Sequence, residues 1–352
     1  MRPIARLLLA LLALLLPACG PDGPDSASKP KPATLVFWNW PDYVTQEALT
    51  GFERETGHRV ELRIFEDEEV LMGAIQSSEF QGDILVVSNT LAEELAMAQL
   101  LAPLDPTKIP NAVHVEVQAL TGTGGPVHDV PYLAGTTGIV VNTKHVPQAD
   151  SWNVLWDETL SGRIAMLPNG QEIVPAASKM LGFGILPRTE AEFQAVRRAL
   201  LAQRPLLRGY LPVQEIVDLL IEGELWAAQI YSGDALLARE ANPDLRYFVP
   251  REGGMLWTDK LVIPRASRHK NLAMAFVDYL QRPEVMAKLS AALHAPTPNL
   301  AARKLQPKDV LSNPDIYPPQ DVLARCEYYP PFRAEDTIEA RIAELWSILN
   351  RK

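Results

Sequence analysis

The sequence predicts an α/β protein with a mostly parallel β-sheet. Short β-prone apolar runs alternate with stretches of helical spacing along the chain, which is typical of repeated strand–helix units. Helix ends are marked as expected, since Gly57 directly follows the helical spacing of 43–56 and has the position of a C-cap. Ligands of such sheets bind beyond the carboxyl ends of strands. The loops 39–42 and 88–90, which follow predicted strands, are therefore candidate site segments.

The first part of the chain has this alternation in its clearest form. The run 34–38 is apolar and β-prone, 59–65 alternates as a strand, and 84–87 has the unbroken apolar character of a buried strand. The segments between and after these runs have helical spacing, and they are 43–56, 67–76 and 89–99. Three consecutive strand–helix units are therefore expected.

A second block of elements follows residues 131–135. The predicted strands of this block are 138–142, 227–231, 246–249 and 260–263. The predicted helices are 172–181, 190–203, 213–221 and the amphipathic segment 335–349 at the end of the chain. No linker-like segment separates the two blocks, which is consistent with a chain that crosses between two domains more than once.

The N-terminus has the features of an export signal. Two arginines precede an apolar run over 7–16 that is too short to span a bilayer, and Cys19 follows a small residue. We interpret 1–18 as a lipoprotein signal peptide that is cleaved before Cys19, whose thiol is lipidated. An ordinary cleaved signal and a small apolar N-terminal helix are the alternatives. The composition of 19–33 predicts a flexible leash, so a periplasmic or otherwise extracytoplasmic protein that meets the membrane only through its lipid is expected.

Composition argues against a nucleic-acid-binding function and against an intramolecular disulfide. The chain has 352 residues, of which 47% are hydrophobic, and this is enough for two globular domains. Its formal net charge of −10 argues against a nucleic-acid partner, because nucleic acids select basic surfaces. The chain has two cysteines, so lipidation of Cys19 leaves Cys326 without a partner for an intramolecular disulfide.

The sequence lacks the motifs of metal sites and of common hydrolases. Its six histidines are scattered without the spacing of zinc ligands, and no Gly-x-Ser-x-Gly motif occurs. The glycine-rich segment 121–126 lacks the lysine of a phosphate-binding loop and is interpreted as a flexible turn. The acidic run 66–69 lies at a predicted helix start, where the helix dipole accounts for it better than direct ligand contact does. No metal, cofactor or enzymatic activity is expected.

Two segments combine aromatic side chains with a carboxylate. Trp40, Asp42 and Tyr43 lie at a predicted strand-to-helix turn. Trp257 and Asp259 are two residues apart on an extended chain, so their side chains point to the same side. An ammonium group has only donors and needs a negative partner when buried, and aromatic faces stabilise a cation by about 0.5–2 kcal/mol each. The combination indicates a site for an organic cation, with packing of the rings in the core as the alternative.

The chain resembles the spermidine/putrescine-binding protein family of bacterial ABC importers over nearly all of residues 34–350. The motifs that carry the resemblance are 37–44, 151–156, 252–259 and 296–305. The resemblance implies a two-lobe periplasmic-binding-protein fold, type II-like, with crossover strands and a ligand cleft between the lobes. The implied first lobe comprises 34–136 plus 260–303, and the second comprises 137–259 plus 304–352.

The resemblance also implies which residues bind the ligand. Trp40, Asp42 and Tyr43 match the family's aromatic and acidic turn. Trp257 and Asp259 match the family's Trp-x-Asp motif, which caps one terminal amine, and Glu172 matches the other carboxylate at that end. Tyr231 stands where the family has tryptophan. The expected ligand-binding residues are Trp40, Asp42, Tyr43, Asn89, Asn169, Glu172, Tyr231, Trp257 and Asp259.

This chain departs from the family pattern in the middle and at the far end of the implied site. Asn169 replaces an aspartate that binds an inner amine. Asn89 and Leu91 replace a serine and a tyrosine, and Ala295 replaces a tyrosine. Because the amide of Asn169 carries no negative charge, a central secondary ammonium is disfavoured. A putrescine-like diamine or an ω-amino compound is therefore expected to bind better than spermidine.

The expected function is capture of a polyamine or related organic cation for an ABC importer. The lobes close on the ligand by hinge motion, and the closed monomer docks on a permease whose partner ATPase drives transport. Two alternatives stay open. The same fold could bind another ligand, such as an amino acid, an opine or a ferric complex, for which Tyr328 and Tyr329 are a candidate pair. The chain could instead be a lipid-anchored sensory module or an enzyme, although no nucleophile–base set supports an enzyme.

Overall fold

The computed structural model describes residues 32–77, 79–115, 127–330 and 337–351. The signal 1–18, Cys19, most of the leash and the glycine-rich segment 121–126 lie outside the described residues, so the interpretations of these segments stay predictions. Within the described ranges, no helix combines the length and the apolar character needed to cross a bilayer.

The described residues form one mixed β-sheet. Its strands are β1 (Thr34–Asn39), β2 (Arg59–Ile64), β3 (Ile84–Val87), β4 (Asp129–Asn142), β5 (Ile164–Met166), β6 (Leu207–Tyr210), β7 (Ala227–Tyr231), β8 (Leu245–Phe248), β9 (Met255–Val262) and β10 (Glu327–Tyr328). Their spatial order is β2-β1-β3-β9-β4-β7-β5-β6, with β10 paired to β9 and β8 paired to β4.

Strand direction changes in the middle of the sheet. The strands β2, β1 and β3 are mutually parallel, and so are β7, β5 and β6. The pairs β3–β9, β9–β4 and β4–β7 are antiparallel. The prediction of a mostly parallel sheet is therefore correct only for the two outer groups, because the long strands β4 and β9 run back between them.

The helices follow the strands as the sequence predicts. They are α1 (Gln46–Thr56), α2 (Glu68–Ile75), α3 (Asn89–Met97), α4 (Gly170–Met180), α5 (Glu190–Gln203), α6 (Val213–Ile221), α7 (Ser232–Ala241), α8 (Lys270–Leu280), α9 (Pro283–Ala292), α10 (Leu300–Arg303), α11 (Lys308–Leu311), α12 (Gln320–Leu323) and α13 (Thr337–Leu349). The three strand–helix units expected at the start of the chain are confirmed as β1–α1, β2–α2 and β3–α3.

Capping residues explain where these helices begin and end. Thr45, Asp67 and Ser88 precede α1, α2 and α3, and the side-chain oxygen of each accepts a backbone N–H of the first turn. Asn169 caps α4 in the same way. Gly57 ends α1 with φ at 71°, the left-handed conformation that a C-cap requires, which confirms the predicted stop.

Each half of the sheet is buried on both faces, which produces two lobes. In β3, Ile84 and Val86 join one apolar cluster, whereas Leu85 and Val87 join another on the opposite face. The residues 139–141 of β4 alternate between two further clusters in the same way. The clusters on the two faces of β3 and those on the two faces of residues 139–141 are distinct, so among the described residues each half of the sheet has its own core.

The strands β4 and β9 pass from one lobe to the other. Val130 of β4 lies in the core of the first lobe, and Ile139 of the same strand lies in that of the second. The register between β4 and β9 shifts between Pro131 and Ala134, and such bulges bend a strand. The predicted lobe boundaries, 136/137 and 259/260, fall within these two strands and stay predictions.

Candidate functional site

A buried asparagine shapes the chain where β1 ends. The Nδ2 amide of Asn39 donates to the Tyr43 carbonyl at 3.0 Å, and its Oδ1 accepts the Trp40 N–H at 2.9 Å. The Asn39 carbonyl accepts the Phe65 N–H at 3.2 Å, so the ends of β1 and β2 are tied together. Asp42 has φ at 50°, a left-handed conformation that aspartate tolerates better than most residues. The turn 40–43 is thus held as a compact loop at this edge of the sheet.

The rings of that turn rest on the first lobe. The Trp40 ring lies on Phe65 with centroids 4.4 Å apart, and Tyr43 meets Tyr132 edge to face at 5.6 Å. The Tyr132 hydroxyl donates to the Tyr43 carbonyl at 2.9 Å. Trp40 and Tyr43 both pack against the core while staying partly exposed. Core packing, the alternative interpretation, therefore accounts for part of their burial, but neither residue is fully buried.

The second aromatic segment lies on β9, beside the crossover strand β4. Trp257 is opposite Gly135 in the antiparallel register, and its indole covers that glycine so closely that a Cβ there would lie 2.2 Å from the ring. The Tyr231 ring meets Trp257 edge to face, with centroids 5.9 Å apart. Trp257 and Asp259 are both partly exposed while Thr258 between them is buried, as expected for side chains on one face.

Asp259 is a partly buried carboxylate near the first lobe's strand ends. Burial raises its pKa to about 7, the Tyr43 hydroxyl opposes that shift, and the negative charge of Glu68 adds to it. Lys260, the next residue, lowers the pKa of Asp259 by a smaller amount and forms an ion pair with Asp129 at 3.3 Å. A carboxyl group in this state is only partly ionised near pH 7, and a cation beside it favours the ionised form.

Glu172 lies in the first turn of α4 in the second lobe. The Asn169 Oδ1 accepts the Glu172 N–H at 2.9 Å, and the Gln229 Nε2 donates to the Glu172 carbonyl at 2.9 Å. Burial raises the pKa of Glu172 to about 7, although the hydroxyls of Tyr231 and Thr137 oppose the shift. Glu172 thus lies beside the Tyr231 ring on the second lobe, whereas Asp259 lies beside Tyr43 and Glu68.

Two further carboxylates, those of Asp234 and Asp42, lie within electrostatic reach of one another. Asp234 lies in the first turn of α7, directly after β7, and burial raises its pKa to about 6 with a further contribution from the charge of Asp42. Asp234 also adds to the raised pKa of Tyr43, after burial and Asp259. Asp42 and Tyr43 belong to the turn after β1, so the two strand ends lie within electrostatic reach of one another.

The positions that depart from the family pattern occupy both lobes. Asn89 begins α3 after Ser88, at the same edge as the turn after β1, and it is partly exposed. Asn169 is exposed at the start of α4. Leu91 and Ala295 are buried in the first lobe's cores.

The cleft is rich in acceptors and aromatic faces. The carboxylates gathered here are those of Asp42, Glu68, Glu172, Asp234 and Asp259. The ion pairs that the described residues make do not include Glu68, Glu172 or Asp234. The four carboxylates other than Asp42 are partly buried and have raised pKa values, and such carboxylates with aromatic neighbours fit a positively charged organic guest.

Three polar atoms at the site are also left without partners. The hydroxyls of Tyr43 and Thr137 and the indole Nε1 of Trp257 are sealed from solvent, and none hydrogen-bonds to any part of the chain that the structure describes. The Tyr43 and Thr137 hydroxyls lie near the Asp259 and Glu172 carboxylates, respectively, but short of hydrogen-bond geometry. Buried polar groups of this kind are normally satisfied, so their clustering marks a place for a polar ligand.

Comparison with known proteins identifies the family. The sequence profile of the bacterial extracellular solute-binding proteins matches residues 82–324. The chain belongs to that family. This solute-binding protein is 28% identical to the spermidine/putrescine-binding periplasmic protein of Escherichia coli K12, over 90% of this chain and 91% of that protein. It is 30% identical to the putrescine-binding periplasmic protein PotF of the same organism, over 81% of this chain and 83% of that protein.

A solved structure supports the architecture. A spermidine/putrescine ABC transporter protein from Listeria monocytogenes matches this solute-binding protein with a TM-score of 0.83 and 29% identity, over 90% of this chain and 98% of that one. The resemblance inferred from the sequence motifs and the expected two-lobe periplasmic-binding-protein fold are confirmed.

Sequence reasoning missed several residues of the cleft in this solute-binding protein. The helix-dipole interpretation of 66–69 does not distinguish Glu68 from its neighbours, and no sequence motif indicates Asp234, Thr137 or Gln229. Asp234 follows the end of β7, so the rule that ligands lie beyond strand ends would have indicated it.

The two tyrosines considered for a ferric complex have different partners, and the Tyr328 hydroxyl lies 3.4 Å from the Thr258 Oγ1. The Tyr329 hydroxyl donates to Glu339 at 2.7 Å, and its ring packs on the second lobe's core. Across the described ranges, no group of three or more histidine, cysteine, aspartate or glutamate side chains is arranged to hold a metal ion.

Proposed function

We propose that this protein is the substrate-binding component of an ABC importer and captures a polyamine or related organic cation. The observation that carries the proposal is the convergence of Glu172 and Asp259 on a cleft walled by the rings of Tyr231 and Trp257. The names of the E. coli and Listeria relatives point to the same class of ligand. An ammonium group would receive acceptors from the carboxylates, while the rings cover the alkyl chain.

We propose that binding closes the two lobes. Glu172 and Asp259 belong to the second lobe, whereas Tyr43 and Glu68 beside Asp259 belong to the first, so a cation held by groups of both lobes would hold the lobes together. A ligand shifts such an equilibrium by the contacts that it makes only in the closed state. The bend would occur in β4 and β9, with lobes of 34–136 plus 260–303 and 137–259 plus 304–352.

Repulsion between carboxylates on opposite lobes makes closure of the lobes depend on a bound cation. Asp42 and Asp234 lie on opposite lobes, and the charge of Asp42 contributes to the raised pKa of Asp234. Bringing such carboxylates together without a cation is unfavourable, whereas a cation between them reverses the sign of the interaction. The empty cleft is therefore expected to rest open.

A putrescine-like diamine is proposed to bind better than spermidine. The Asn169 Oδ1 already accepts the Glu172 N–H at 2.9 Å as the cap of α4. The Asn169 Oδ1 keeps a second lone pair, but the amide carries no negative charge, so an inner ammonium would find a neutral acceptor there in place of a charged one. A third positive charge near Asn169 would therefore gain little.

The cellular setting follows from the leader and the relatives. We propose that Cys19 is lipidated and that 19–33 tethers a monomeric body outside the cytoplasm, where it meets a permease whose ATPase drives transport. In this role the protein performs no covalent chemistry.

Titration calorimetry on the purified mature protein tests the proposed function. Putrescine, spermidine, an ω-amino acid and a neutral amino acid are compared at pH 8. Saturable binding of putrescine is expected, with weaker binding of spermidine and of the neutral amino acid. Absence of binding by every organic cation would overturn the proposed function, whereas tighter binding of spermidine would overturn only the preference for a diamine.

A further inference from the structure

We propose that Glu68 is a ligand-binding residue of this cleft, and that its carboxylate joins Asp259 in holding one ammonium end of the cation. The inference rests on the proposed function and adds a residue that the family motifs do not indicate. It assigns Glu68 a role that the other three acidic residues of 66–69 do not share.

The four acidic residues of 66–69 have different surroundings, because only the Glu68 side chain points inward. Asp67 caps α2, with its Oδ1 accepting the N–H groups of Glu69 at 2.7 Å and Val70 at 3.2 Å. Glu66 and Glu69 are exposed, as the helix-dipole interpretation expects. Glu68 is instead partly buried and directed toward the end of β3.

Ser88 holds the Glu68 carboxylate by both of its oxygens. The Ser88 backbone N–H donates to Oε1 at 2.7 Å, and the Ser88 hydroxyl donates to Oε2 at 2.8 Å. Two donors on one residue fix the position and the plane of the carboxylate, yet each oxygen keeps a lone pair for another donor. An orientation fixed in this way suits a binding group more than a surface charge.

Strand register places this carboxylate beside Asp259. In the antiparallel pair of β3 and β9, Val87 is opposite Lys260. Ser88 directly follows the end of β3, and continuing that register by one residue would bring it opposite Asp259, on the same face of the sheet. Glu68, bonded to Ser88, therefore lies next to Asp259, in agreement with the effect of its charge on that group.

The acceptors at this place match a primary ammonium. Glu68 and Asp259 supply carboxylate oxygens, and the Tyr43 hydroxyl nearby has no hydrogen-bond partner in the described part of the chain. A primary ammonium carries three N–H donors and no acceptor, so three acceptors satisfy it. The groups that face Glu68 are negative, with Asp67 beside it, Glu94 on α3 and Asp259 on β9.

Calorimetry with putrescine at pH 8 on the full mature chain tests the inference. Glu68→Gln removes the charge at nearly constant volume, and Glu69→Gln is the matched control, because it removes the same charge from the exposed next position of α2. Glu68→Gln is expected to weaken binding by about tenfold or more, the worth of a charge-assisted hydrogen bond. Glu69→Gln is expected to stay within about twofold of the wild type, since exposed charges contribute little.

A proton count distinguishes ligand contact from a purely structural role. Putrescine titrations at pH 7 in buffers of different ionisation enthalpy report the protons released on binding. The wild type is expected to release protons because binding forces carboxyl groups to ionise, and Glu68→Gln is expected to release fewer. A structural role of Glu68 would leave the count unchanged.

The outcomes separate the inference from the proposed function. If wild type and Glu69→Gln bind no organic cation, the proposed function fails and the inference fails with it. If the wild type binds, Asp259→Asn does not, and Glu68→Gln binds as the wild type does, only the assignment of Glu68 is wrong. Glu68→Asp keeps the charge but withdraws the carboxylate by one methylene, so it decides the question if Glu68→Gln does not fold. Wild-type affinity in Glu68→Asp would overturn the assignment.

Discussion

The ring of Tyr231 meets the ring of Trp257 edge to face, with centroids 5.9 Å apart and an interplanar angle of 81°. Tyr231 ends β7 and Trp257 lies on the crossover strand β9, so the pair joins a strand end of the second lobe to the strand that links the lobes. Each ring stands beside a carboxylate, Glu172 for Tyr231 and Asp259 for Trp257. The pair forms an aromatic wall between two negative groups.

Removing the larger ring of that wall should weaken cation binding. Trp257→Ala is expected to lower putrescine affinity by about 10- to 30-fold, since a desolvated cation–π contact contributes up to about 2 kcal/mol. Trp257→Phe should keep most of the affinity. The control is Trp226→Phe, because Trp226 stacks on His145 at 4.1 Å elsewhere in the second lobe. Calorimetry measures all three variants, and an unchanged affinity in Trp257→Ala would contradict the aromatic wall.

Neutralising Asp259 should remove most of the binding. Asp259→Asn is expected to weaken putrescine affinity by about 100-fold, because the ammonium loses a charged partner that is worth up to about 3 kcal/mol. Asp150→Asn is the matched control, since Asp150 is exposed and pairs only with Arg251 among the described residues, at 3.3 Å. Equal affinities of Asp259→Asn and the wild type would show that this carboxylate does not contact the ligand.

Cation affinity should rise with pH. Burial raises the pKa of both Asp259 and Glu172 to about 7 in the empty protein, so both groups are largely protonated at pH 6 and largely ionised at pH 8. Binding a cation at pH 6 requires proton release, which costs about tenfold in affinity for each carboxyl. Putrescine affinity is therefore expected to increase by about 10- to 100-fold from pH 6 to pH 8. A flat calorimetric profile across this range would contradict the assignment of these carboxylates.

The empty protein should lose stability as the pH rises from about 4 to about 7. The pKa of Asp259 is raised from 3.8 to about 7 on folding, so the folded state binds more protons than the unfolded state between these values. The free energy of unfolding therefore falls as pH rises from about 4 to about 7. Above pH 8 this group causes no further loss of stability. Asp259→Asn removes the effect. Its melting temperature should match that of the wild type near pH 4 and exceed it at pH 8, and a constant difference at both pH values would refute this reasoning.

Gly135 is needed because the Trp257 indole covers it. In Gly135→Ala the new methyl group would lie 2.2 Å from the ring, so the indole or the crossover strands must shift. Both the melting temperature and the putrescine affinity are expected to fall. Gly73→Ala is the control, because a Cβ at that helical position meets nothing within 4 Å and alanine stabilises a helix by about 1 kcal/mol relative to glycine. A Gly135→Ala protein with unchanged affinity would show that the ring position is not critical.

Much of the fold was predictable because its signals are local. The unbroken apolar run 84–87 predicted a strand buried on both faces, and its residues alternate between two clusters as β3. Gly57 ends the first helix as predicted, because glycine has no Cβ and adopts the left-handed conformation without the steric cost that other residues have. The spacing of Trp257 and Asp259 predicted that both would lie on one face, since side chains of a strand alternate.

The sequence by itself determined which segments form strands and helices, where α1 stops, and which residue types suit a cation. Only the tertiary structure decided which distant residues contact each other. Glu68 and Glu69 are adjacent glutamates in the same helical turn, yet only Glu68 reaches Ser88, because the packing of α2 beside the end of β3 selects one direction. Strand direction also depends on the tertiary structure, since the antiparallel pairs of β4 and β9 join strands that are far apart in the chain. Periodicity fixes the face on which a side chain lies, whereas pairing between distant segments fixes what that face meets.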